Sequence, residues 1–77
     1  MSHTPHELSE EFPDKHEKIQ TLRANNAHFR KLADDYHQVN RQIHGAEINV
    51  TPMDQFAEED LRKQRMRLKD EIAALLA

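Results

Sequence analysis

The sequence contains no cysteine and no tryptophan, one glycine, and only three phenylalanines and one tyrosine. Without cysteine there is no disulfide and no thiolate metal site, which fits a reducing compartment. So little glycine leaves no glycine-rich phosphate loop and suits long exposed helices better than a compact mixed fold. No run of about 18 apolar residues exists to span a bilayer. The N-terminus lacks a basic region followed by an apolar stretch, so no secretory signal is read there and a cytoplasmic location is expected. GxSxG and HExxH spacings are both missing.

What the chain has is charge. Of its 77 residues 32% are charged and 36% hydrophobic, and the formal net charge is −3. A single small domain is expected, near the size at which oligomerisation commonly supports the core. A net negative charge argues against a dedicated polyanion binder. The charge is uneven, however: residues 1–17 hold five acids and one lysine, whereas residues 61–69 hold five bases and no acid.

The start signals are local. Thr4-Pro5-His6-Glu7 reads as a capping box with proline at the first helical position, which predicts a short helix within residues 1–12. Pro13 ends it, because it excludes the α region for Phe12. Pro13-Asp14 then opens a second helix over 14–47. Asn25-Asn26 predicts a kink at 25–26, since asparagine is a poor interior residue and a good N-cap; the alternative is one helix running through.

A heptad seam follows, with apolar residues at Phe29, Leu32, Tyr36, Val39, Ile43 and Ala46, extending back to Leu22. Residues 48–51 lack the pattern and read as the connection. Thr51-Pro52-Met53-Asp54 repeats the start signal, so the last helix is expected over 52–76. Its seam is Leu61, Leu68, Ile72 and Leu75. The expected fold is therefore all-α: an antiparallel two-helix hairpin with coiled-coil character, a short N-terminal helix, and a tendency to self-associate.

The basic run is resolved by geometry. With Leu61 at zero and about 100° per residue, Leu68, Ile72 and Leu75 fall within roughly 40° of it. Arg62, Arg65 and Lys69 lie on one flank, and Lys63 and Arg67 lie about 200–240° away. Acids share these faces, with Glu58 and Glu59 four residues before Arg62 and Lys63 in the favourable order. A solvated coiled-coil surface is therefore favoured over a nucleic-acid strip. Arg62, Arg65 and Lys69 stand as the polyanion contacts of the alternative reading, a nucleic-acid accessory protein.

The other candidates carry less. Six histidines invite a metal or pH sensor, but no three or four of them have converging ligand spacing. Asp34-Asp35 diverge by about 100° on a helix and form no catalytic dyad. Two packed helices are expected to enclose no pocket, so neither catalysis, a cofactor, nor a small-molecule substrate is expected. The reading is a non-enzymatic protein-interaction module whose partner is a second copy or another helical protein. The acidic N-terminal segment is expected to fold over a basic flank of the hairpin, in its own chain or in a copy, or else to be a solvated tail or a local helix cover.

The stretches "EEFPDKHEKIQTLRANNAHFRKLADDYHQVNRQIH" and "RKQRMRLKDEIAALL" together resemble the YdcH family of small bacterial proteins. The resemblance rests on Phe12-Pro13, on Ile19 and Leu22 before Asn25-Asn26, on His28-Phe29, and on Leu68-Lys69-Asp70-Glu71-Ile72. Ile48–Phe56 departs from the family pattern. The resemblance implies a helical hairpin in a bacterial cytoplasm. It implies no activity and supplies no catalytic or binding residues, because that family's function is itself unassigned.

Overall fold

The computed structural model describes residues 6–48 and 53–77, and among them every regular element is helical. A short helix α1 (Leu8–Glu11) is followed by a 3-10 turn (Pro13–Lys15), then α2 (His16–Asn25), α3 (Ala27–Glu47) and α4 (Gln55–Leu76). The starting signals Thr4-Pro5 and Thr51-Pro52 lie outside the described residues. Glu7 precedes α1 without a side-chain cap. Asp54 caps α4, its Oδ1 accepting from the Ala57 N–H at 2.9 Å. The last helix therefore begins at Gln55 rather than at 52, because a carboxylate in extended conformation is itself a strong N-cap.

The expected helix over 14–47 is two helices. Pro13 starts a 3-10 turn, and the chain breaks fully at Asn26. Asn26 is extended, with φ −128° and ψ 106°, and its Oδ1 accepts from the Phe29 N–H at 3.0 Å. Asn26 therefore ends α2 and caps α3 in one position. Gly45 does not interrupt α3, which continues to Glu47.

The long pair α3 and α4 pack closely against each other. Around one end of this hairpin, α1 and α2 fold back as an arm. Leu8 of α1, Ile19 of α2, Phe29, Leu32, Ala33 and Tyr36 of α3, and Ile72 and Leu76 of α4 form one buried cluster. Phe12, Leu22, Leu68 and Leu75 pack against it at its edges. Burying each large side chain is worth about 1.5–3 kcal/mol, so this cluster holds the arm and both long helices as a unit. The far end of the hairpin has a thinner core built on Ile43 and Ala46.

Between the two ends lies a polar layer. Asn40 is 1% exposed, and its Oδ1 accepts from the Arg65 guanidinium at 2.9 Å. Both residues occupy helical positions that point into the packing of α3 on α4. A buried polar pair of this kind constrains register, because sliding either helix would strand a polar group in apolar surroundings.

Polar ties complete the arm. The Tyr36 hydroxyl donates to the His6 carbonyl. Burial, reinforced by the nearby Glu11 and Glu7 carboxylates against the opposing charge of Arg65, pushes the Tyr36 phenol up to about 12. The hydroxyl therefore keeps its proton and its role as donor. His6 has φ 64°, in the left-handed region that non-glycine residues seldom occupy, and this turns its carbonyl toward Tyr36. His37 of α3 pairs with Glu7 at 3.0 Å, and Lys69 of α4 pairs with Glu11 at 3.4 Å. The Lys69 ammonium also stands 5.9 Å from the centre of the Phe12 ring. Of the basic flank, the acidic N-terminal segment thus engages Lys69 within its own chain.

Glu11 gives this arm a pH dependence. Burial works against its charged form, but the His6 hydrogen bond and the Lys69 charge outweigh burial and lower its pKa below 4.5. A carboxylate with a lowered folded pKa contributes stability above its unfolded value and loses it as pH falls through the folded one. The urea midpoint should therefore drop more steeply below about pH 4.5 in the parent protein than in Glu11→Gln. Equal acid slopes for the two proteins would remove Glu11 from the arm's attachment.

Candidate interaction surface

The seam residues divide into two groups. Phe29, Leu32, Tyr36, Ile43, Ala46 and Ile72 are buried. Leu22, Val39, Leu61, Leu68 and Leu75 are half-buried. Among the described residues five buried positions, Leu8, Ile19, Ala33, Asn40 and Leu76, fall outside the sequence-derived seam. For Asn40 the reason is periodicity. From Tyr36 to Ile43, stepping through Val39 or through Asn40 satisfies helical spacing equally well. Hydrophobicity favours Val39, but the packing turns Asn40 inward and leaves Val39 on the rim. The usable signal was the match of Asn40 on α3 with Arg65 on α4, each a polar residue at core spacing.

The basic flank is likewise rearranged. Arg62 pairs with Glu58 at 2.9 Å, as the four-residue spacing predicts, and with Glu47 of α3 at 3.6 Å. Arg65 is held by Asn40 and Lys69 by Glu11. The three bases nominated for phosphate contact are thus all engaged within the chain. Asp34 pairs with Arg23 of α2 at 3.2 Å, and Asp35 with Lys31 at 3.4 Å. Lys63 and Arg67, on the other side of α4, make no ion pair among the described residues.

Lys63 and Arg67 border an open groove. It lies between α3 and α4, has a volume of about 520 Å³, and is lined by Asp35, Gln38, Val39, Asp60, Lys63, Gln64, Arg67 and Leu68. Val39 and Leu68 supply its apolar floor, and two acids and two bases its rim. A second groove of about 380 Å³ lies between the arm and α3, floored by Leu8, Ile19 and Ala33. The hairpin therefore carries concave surface that the sequence did not predict. It arises because two helices in contact leave a valley on each side, and the arm fills only one of them.

Large apolar side chains extend the exposed surface. Phe56 is 81% exposed, Met66 67% and Ile48 52%. On α4, Phe56 lies seven residues before Lys63 and eleven before Arg67, so the three share one stripe. Among the described residues no group of three or more histidines or acids could hold a metal ion. His6 and His37 are each engaged by a glutamate. No helix of the described residues is long and apolar enough to cross a membrane.

Residues 29–76 match the model of a family described as "Protein of unknown function (DUF465)". The match spans more than half of the chain and takes in all of the α3–α4 hairpin except the first two residues of α3, so the chain belongs to this family, which includes the YdcH-like small bacterial proteins. Neither a search of curated proteins nor a search of solved structures finds a match.

Proposed function

We propose that this DUF465 protein is a non-enzymatic helical interaction module whose working surface is the open α3–α4 groove together with the Phe56 stripe. One observation carries the reading: a phenylalanine 81% exposed on the helix that walls an apolar-floored groove. Exposed aromatic side chains beside apolar depressions are the usual anchors of protein association. Helix-in-groove recognition uses such valleys between packed helices. The nucleic-acid alternative has less support, since Arg62, Arg65 and Lys69 are engaged internally and the two remaining groove bases face two acids.

A photoreactive phenylalanine analogue at position 56, and the same group at Gln64, should give light-dependent adducts with polypeptide in the native cell. The same group at Gln20, exposed on α2, should give none. Adducts of equal yield from all three positions, or none from 56 and 64, would remove the groove as the working surface.

A further inference from the structure

We propose that the occupant of the α3–α4 groove is a second copy of this chain, packed with its α4 antiparallel to the first. The inference rests on the interaction reading above and names its partner. The groove-facing residues of α4 are Asp60, Lys63, Gln64 and Arg67, with Leu68 beside them. Their order is acid, two residues, Lys-Gln, two residues, base. A two-fold axis crossing α4 between Lys63 and Gln64 places position 60 of one copy opposite position 67 of the other. Asp60 then meets Arg67 of the second copy, and the symmetry repeats that pair on the other side.

The same register accounts for the rest of the stripe. Phe56 lies one turn outside Asp60. In the antiparallel arrangement it falls within about one turn of Leu68 of the second copy, at the apolar end of the groove. Two exposed phenylalanines are covered by one symmetric contact. Neither Arg67 nor Lys63 has an ion-pair partner among the described residues. Asp60 accepts only from the neutral amide of Gln64, at 2.8 Å, which leaves its charge unbalanced. The groove face of α4 thus carries an acid and a base, Asp60 and Arg67, placed so that its pattern is complementary to itself. A phosphate backbone would meet Asp35 and Asp60, and a helix of one charge sign would meet two like charges.

Sedimentation of the full chain at low salt tests this, from about 1 μM to about 1 mM, with circular dichroism confirming that each variant is folded. The parent protein should dimerise within that range. Asp60→Arg and Arg67→Asp should each weaken the dimer by about tenfold or more, because either change sets like charges against each other twice. The double variant D60R/R67D should restore it, since the exchange recreates both pairs. A parent that stays monomeric, single variants that dimerise as well as the parent, or a double variant no better than the singles would each overturn the proposal. If the parent is monomeric while position 56 still forms adducts of another mass, the interaction reading survives and the second copy does not.

Discussion

Phe29→Ala is expected to cost about 3–5 kcal/mol of folding stability, the usual range for a fully buried phenylalanine. A domain has only about 5–15 kcal/mol in total, so a chain this small should lose a large part of its stability and unfold at a much lower urea concentration. The reason lies in where Phe29 sits. It occupies the first turn of α3, wholly buried, in the one cluster that joins Leu8 of α1, Ile19 of α2, and Ile72 and Leu76 of α4. Removing its ring withdraws a shared contact from four helices. Phe56→Ala is the control. Its ring is exposed in the single chain, so at concentrations below dimerisation the change should stay within about 0.5 kcal/mol of the parent. Urea titration followed by circular dichroism separates the two outcomes. Comparable losses from both would contradict the place of Phe29 in that cluster.

The second large effect is at the polar layer. Arg65→Ala withdraws a charged donor from the buried Asn40 oxygen, and such losses cost about 1–3 kcal/mol. Replacing both members with apolar residues, as in Asn40→Leu with Arg65→Met, should recover most of that stability, because no half-satisfied pair then remains. What the double variant should lose is register. Without the polar layer, sliding α4 along α3 strands no polar group. Amide spectra should then show broadened or doubled signals around residues 40 and 65, although the urea midpoint is near the parent's. A double variant as unstable as Arg65→Ala, or one with spectra as sharp as the parent's, would contradict this account of the pair.

Much of the architecture could be read from local chemistry. The apolar spacing from Phe29 onward marks α3, Pro13 marks the end of α1, and Asn25-Asn26 marks a discontinuity. These signals are legible because each acts within one helical turn. The arm was harder. That Leu8 and Ile19 are buried against Tyr36 and Ile72 depends on how α2 leaves Asn26, and no short-range pattern fixes that angle. Arg65 stands about 40° from Leu61 around the helix, at the edge of the seam. Its inward role became visible only once Asn40 was seen opposite. The open groove also escaped the sequence reading. It is a property of two helices and a missing third layer, whereas Val39 and Leu68 each read individually as ordinary seam residues.

The hairpin has one valley filled by the arm and the other open. Single cysteines test it most directly, in a chain that has none of its own. In dilute solution a thiol reagent should modify Val39→Cys and Leu68→Cys, on the open floor, much faster than Ala33→Cys, beneath the arm. As protein concentration rises, the groove sites should become protected while Ala33→Cys is unchanged. Equal rates at all three positions, or protection that appears first at position 33, would contradict it.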